Sequence, residues 1–225
     1  MNRDKKRRNN KFADKDIKKA VSIQASSLIL VGQEQTLTIQ QATDLAIKNH
    51  QAGNLPKAER IYQRILEADP NQTDALHYLG LIAHQVGEND RAVKLISDAL
   101  KIKPDYAEAH CNLGLTLKDL GQLNDAVASY NKALAIKPDF ALAYSNKGIA
   151  LKALGQLDEA VVSYRKALNI NPNYAEAHSN LGNALQELGK FDEAVESFNK
   201  SITLKPDYAE AYSNLGNVLR ELGQL

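Results

Sequence analysis

The sequence predicts an all-α solenoid of stacked helix pairs, and three observations carry that expectation. Pro70, Pro104, Pro138, Pro172 and Pro206 stand 34 residues apart, as do Gly80, Gly114, Gly148, Gly182 and Gly216. Ala58, Ala92, Ala126, Ala160 and Ala194 keep the same step, and so does a second glycine series, Gly53, Gly87, Gly121, Gly155, Gly189 and Gly223. Between these markers the apolar residues recur with the period of a helix. Four series in one register do not arise by chance. A unit of this length holds two helices and cannot cover its own apolar stripe, so neighbours must stack.

The units follow in order. The first, 39–72, carries Ala46 and Asn49 where later units have glycine and a large residue, which suits a terminal, cap-like repeat. Units 73–106, 107–140, 141–174 and 175–208 come next, and a partial unit runs from Ala209 to Leu225. In the unit from Ala107, Leu113, Leu117 and Leu120 recur at i, i+4 and i+7, the stripe of a first helix. Gly121 supplies the left-handed residue that closes a helix. Asn124 is expected to cap the second helix, whose stripe is Val127, Tyr130, Ala133 and Leu134. Pro138 ends that helix and Asp139 can cap the next, with Asp105, Asn173 and Asp207 equivalent. Gly114 and Ala126 are small, so the helix backbones can approach closely. Lys147 takes the place of Leu113, Leu181 and Leu215, and must either extend its amine to solvent or find a partner.

Bulk properties exclude several classes. The chain is 44% hydrophobic and 24% charged with a net charge of +1. Residues 1–20 hold nine Lys/Arg against three Asp, a net of +6, which leaves the rest at −5. Residues 1–35 are therefore expected as a basic segment, disordered or weakly helical. Phe12 is the one aromatic in its first 19 residues, so base stacking has little support and nucleic acid is not an expected partner. A single cysteine, Cys111, excludes an intrachain disulfide framework and fits a reducing compartment. No run of 18 apolar residues exists, so no membrane span is expected. The stretch after the basic head, Val21–Val31, is interrupted by Ser22, Gln24, Ser26 and Ser27, which argues against a secretory signal and for a cytoplasmic protein.

With the offsets of His110, Leu113, Gly114, Leu117, Gly121, Ala126, Tyr130, Ala133 and Pro138 laid out, the chain over about 39–225 resembles the tetratricopeptide repeat (TPR) family. The resemblance implies a right-handed α-α superhelix of about five and a half repeats, whose first helices line a concave groove that binds proteins or peptides. It places Asn112, Asn146, Asn180 and Asn214 in that groove, with Asp44 and Tyr78 at the same position in the first two units. A carboxamide offers an acceptor and two donors, matching a peptide unit. Helices about 8–10 Å apart would meet an extended chain rising about 3.3 Å per residue at roughly every third residue. Four rungs of two hydrogen bonds, at about 0.5–1 kcal/mol each in the lower part of the usual range, give about 4–8 kcal/mol before ordering costs. This asparagine ladder is similar to that of the O-linked N-acetylglucosamine transferase superhelix.

Flanking groove positions hold His84, Lys118, Lys152, Gln186 and Arg220 in one row and Asp74, Glu108, Glu176 and Glu210 in another. The charges largely offset, so a strongly anionic ligand is not favoured. The chaperone-tail clamp of some family members needs lysine where this chain has His77, Cys111, Ser145, Ser179 and Ser213. The expected peptide-binding residues are thus Asn112, Asn146, Asn180, Asn214, Tyr78, Lys118, Lys152 and Arg220.

No catalytic, metal or cofactor site is expected. His77 and His84 are seven apart, about 10 Å along a helix, whereas zinc ligands on one helix sit at i, i+4. His110 and His178 fall in register with Leu76, Tyr144 and Tyr212, as packing residues do. Leu225 falls where a second helix should begin, leaving Leu215, Val218, Leu219 and Leu222 without a partner in their unit. The chain is accordingly expected to be a fragment of a longer protein or to self-associate through this last helix. The expected function is a protein-interaction scaffold that holds a protein segment or extended peptide, not a small molecule. The alternative is the substrate-recruiting arm of a transferase (a glycosyltransferase, methyltransferase or sulfotransferase) whose catalytic domain lies outside this chain.

Overall fold

The computed structural model describes residues 27–29 and 36–224; expectations for residues 1–26, the basic head included, and for 30–35 lie outside the described residues. Eleven helices are described. They are α1 (Ile39–Gln51), α2 (Leu55–Ala68), α3 (Thr73–Gln85), α4 (Asn89–Ile102), α5 (Ala107–Asp119), α6 (Leu123–Ile136), α7 (Ala141–Ala153), α8 (Leu157–Ile170), α9 (Ala175–Glu187), α10 (Phe191–Leu204) and α11 (Ala209–Glu221). Each repeat supplies one pair, so the all-α solenoid read from the sequence is the fold. Ahead of α1 lies an antiparallel pair that the sequence reading did not foresee, β1 (Ser27–Ile29) with β2 (Thr36–Thr38), Leu28 opposite Leu37. Thr38 ends β2 and caps α1. Its hydroxyl accepts from the Gln41 amide at 3.2 Å, while the Gln41 side chain accepts from the Thr38 amide at 2.9 Å.

The chain forms two compact units that meet between Lys103 and Pro104. In the first, Tyr62, Ile61, Ile65, Leu79 and Ile82 bury themselves with alanines from α1, α2 and α3. In the second, Leu151, Val161, Tyr164, Leu185, Phe198 and Val218 form the core. Within each unit consecutive helices pack together, and first helices also touch the next first helix: α1 with α3, and α5, α7, α9 and α11 in succession. Second helices make no comparable contact. First helices therefore crowd on one side of each unit, which makes that side the inner one.

Helix ends are set by the backbone more than by side chains. Gly155, at φ 76°, turns the chain after α7; its amide donates to the Lys152 carbonyl and that of Gln156 to the Leu151 carbonyl, both at 2.9 Å. The next helix then starts at Leu157. The same turn makes α6 begin at Leu123 with Gln122 as its N-cap, so Asn124 lies inside the helix instead of capping it. Likewise Tyr106, Phe140, Tyr174 and Tyr208, not the preceding Asp105, Asp139, Asn173 and Asp207, occupy the N-cap of the first helices, without a side-chain cap bond.

In α3, α5, α7 and α9 the helix glycine is a contact. A Cβ on Gly148 would lie 2.6 Å from the ring of Tyr164, and Gly114 and Gly182 face Tyr130 and Phe198 at 2.7 Å. Gly216 occupies the same motif position but has nothing within 4 Å. Gly148→Ala should therefore destabilise by about 1–3 kcal/mol through overpacking against a buried ring. Gly216→Ala should stabilise by about 0.5–1 kcal/mol, the helix-propensity gain of alanine. Chemical denaturation of the two variants checks this opposition of sign.

The last helix is better covered than the sequence reading expected. Val218 and Ala211 are fully buried, and Leu215 and Leu222 lie half-buried against the core. The reason is that α11 packs on both α9 and α10. Tyr212 stays half exposed.

Candidate peptide-binding groove

The inner face of the second unit is built from the middles of α5, α7, α9 and α11. One helical position puts Asn112, Asn146, Asn180 and Asn214 there, all half-buried. Two of these carboxamides are already engaged by the neighbouring first helix. Asn214 Nδ2 donates to Asn183 Oδ1 at 2.8 Å, joining α11 to α9. Asn146 hydrogen-bonds the Cys111 thiol, joining α7 to α5; burial pushes that thiol up to about 11, with the Asn146 bond acting in the opposite direction. The asparagines thus link successive first helices. A carboxamide has two donors and one two-lone-pair acceptor, so one such bond leaves capacity for a ligand.

The basic row is partnered as well. Lys152 pairs with Glu187 of the next first helix at 2.6 Å, Lys118 with adjacent Asp119 at 2.8 Å, and Arg220 donates to Asn217 Oδ1 at 3.0 Å. Lys118 and Lys152 are half-buried and Arg220 is exposed. The two lysines are therefore neutralised in place, while Arg220 keeps its charge. In the first unit Tyr78 is half-buried and packs as much as it presents: its ring stacks on Tyr62 at 5.8 Å and meets His50 edge-on at 6.3 Å.

An open cleft of about 510 Å³ runs across α7, α9 and α11. It gathers Lys152 and Asn214 from the expected set and adds Asn183, Gln186, Glu187 and Asn217; Asn112, Asn146 and Asn180 are not among its walls. The sequence reading missed Asn183 and Asn217. They are 34 apart and occupy the position of Leu115 and Ile149 in the preceding repeats. Because only the last two repeats carry asparagine there, no chain-long series drew attention to them. The result is a wall of carboxamides with one internal ion pair, completed by Phe191 and Glu221. Its donors and acceptors suit an uncharged polar chain such as a peptide backbone.

The histidines act as struts. Nε2 of His110 donates to the Pro104 carbonyl and Nε2 of His178 to the Pro172 carbonyl, each at 2.9 Å, tying a first helix to the turn before it. Among the described residues no group of three or more His, Cys, Asp and Glu side chains is placed to hold a metal ion. Among them, too, no helix is long and apolar enough to cross a membrane.

Comparison with known proteins agrees with this architecture. No curated protein matches the sequence significantly. Among solved structures, PilW, a widely conserved type IV pilus biogenesis factor, aligns with a TM-score of 0.77 at 26% identity, over 83% of this chain and 86% of its own. MamA aligns with a TM-score of 0.66 at 27% identity, over 74% and 97%. YrrB, a TPR protein with an unusual peptide-binding site, shares the fold at 22% identity, with a TM-score of 0.64 over 77% and 89%. The model of the TPR repeat matches four times, at 83–121, 115–155, 148–189 and 182–223, more than half of the sequence. This chain belongs to the TPR repeat family.

Proposed function

We propose that the second unit holds an extended segment of a partner protein along its inner face, gripping the backbone through carboxamides. The observation that carries this reading is the cleft in which Asn183, Asn214, Asn217 and Gln186 stand together beside the Lys152–Glu187 pair. Its carboxamides offer both donors and acceptors, and the Lys152–Glu187 pair is neutral as a unit with Glu221 the one further charge in the lining, so it reads main chain more than side chains. The half-buried Asn112, Asn146 and Asn180 extend the same face toward α5. PilW is a type IV pilus biogenesis factor, and a role in assembly suits a scaffold of this kind. The transferase-arm alternative gains nothing from these likenesses.

The test is a panel of extended peptides titrated into the full chain by calorimetry. Replacing Asn183, Asn214 and Asn217 together by alanine removes three or more hydrogen-bonding groups, and binding should weaken about tenfold or more. Unchanged affinity in the triple variant would remove the groove from this role.

A further inference from the structure

The repeat 141–174 differs from its neighbours on the side away from the carboxamides. It carries Lys147 where the five other repeats have leucine, and Val162 where the equivalents in three of them are Lys94, Ala128 and Glu196. It also has Leu142 and Asn171 where the adjacent repeats form the ion pairs Glu108–Lys137 and Glu176–Lys205, both at 3.1 Å. A polar group has replaced an apolar one inside, and an apolar group has appeared outside. The exchange opens a cleft of about 440 Å³, whose walls include Val127, Tyr144, Leu151 and Val162 with the amines of Lys147 and Lys166. Val162 is 54% exposed although it is a large aliphatic residue. None of these residues belongs to the carboxamide cleft.

The two amines stand out. Lys166 lies over the Tyr144 ring, 5.6 Å from its centre, and neither lysine has an ion pair among the described residues. Burial first, and the nearby Lys166 second, hold the Lys147 amine below the ordinary lysine range. Two like charges side by side against apolar walls lower each other's cost when an anion sits between them. Asp158 and Glu159 also border the cleft, but they are exposed in the first turn of α8, where a helix N-terminus favours acids. Neither acid forms a direct ion pair with Lys147 or Lys166 among the described residues, so both amines are open to a carboxylate brought in by a ligand.

We propose that this cleft is a second docking site, which takes a carboxylate flanked by an apolar side chain on a segment of a partner polypeptide. The carboxylate bridges Lys147 and Lys166, and the apolar side chain covers Val162 and Tyr144. A cleft of this size matches one or two side chains, and clefts of about 300–1,000 Å³ are the usual size of a specific site. Its open walls are helix surfaces, which suits a polypeptide lying across them.

The site is tested with full-length, ¹⁵N-labelled chain and the acetylated, amidated tripeptide leucyl-glutamyl-leucine. Its addition should shift the amide signals of Lys147, Val162 and Lys166, while the glutamine analogue should bind about tenfold more weakly or worse. Lys147→Leu installs the residue of the other repeats and keeps the fold, and Lys166→Gln changes an exposed position; each should weaken binding by about tenfold or more. Asn214→Ala should leave it unchanged, which separates this site from the groove. Equal binding of the glutamine peptide, full affinity in Lys147→Leu, or the same shifts at equal strength from inorganic phosphate alone would each overturn the assignment.

Discussion

Phe198→Ala should cost the second unit about 3–5 kcal/mol, the range for emptying a buried aromatic site. Phe198 is fully buried in α10 and its ring fills the space that Gly182 leaves open on α9, 2.7 Å from where a Cβ would be. Leu185, Ala194, Ala211 and Val218 share its core cluster, so residues of α9, α10 and α11 all lose packing at once. Tyr130 and Tyr164 hold the same slot in other repeats. Phe198→Tyr should therefore be far milder, because ring and volume are kept. Urea unfolding followed by circular dichroism measures both, and a loss below about 1 kcal/mol for the alanine variant would contradict this account of the core.

Raising the pH from about 9 to about 11 should destabilise the chain by on the order of 2 kcal/mol through Cys111 alone. The sign follows from where the proton is held. The unfolded thiol releases its proton near 9, whereas in the fold burial keeps it until about 11. Between those values the unfolded chain carries fewer protons than the folded one, so stability is full below about 9 and lost as pH rises through about 11. Tyr130 and Tyr164 act in the same direction, since burial raises both phenols above the ordinary tyrosine range. Cys111→Ser installs the residue found at 145, 179 and 213 and should flatten the curve between 9 and 11. Urea midpoints at a series of pH values, for both chains, give the comparison. A slope unchanged by the substitution would mean that the thiol is not the titrating group.

How much was legible in the sequence depends on whether a feature repeats along the chain. Helix pairs and the tight glycine contacts follow from a period that the packing itself imposes. Caps did not follow, because Asn124 and Asp139 are good cap residues in isolation while the positive-φ glycine turn and the aromatic residue at the N-cap decide where each helix begins. Phe140 and Tyr208 are held there by Lys137 and Lys205, whose amines sit 4.8 Å over the rings. The groove was half legible. The asparagine series runs along the first helices, but the Asn183–Asn214 bond joins residues 31 apart on different helices, and no single-helix pattern encodes it. Lys147 was visible as an intruder in an apolar row; that Lys166 and an exposed Val162 accompany it became apparent only when the helices were set side by side.

The packing of each helix on its nearest neighbours in sequence has a kinetic corollary. Every substantial contact within the second unit spans no more than two helices, so only short loops must close before apolar surface is rewarded. Ordering can begin at any helix pair and spread outward, and melting retreats from the margins instead of striking the whole unit at once. A ligand laid lengthwise over α7, α9 and α11 would act as a clasp, delaying that retreat without adding any bond inside the protein.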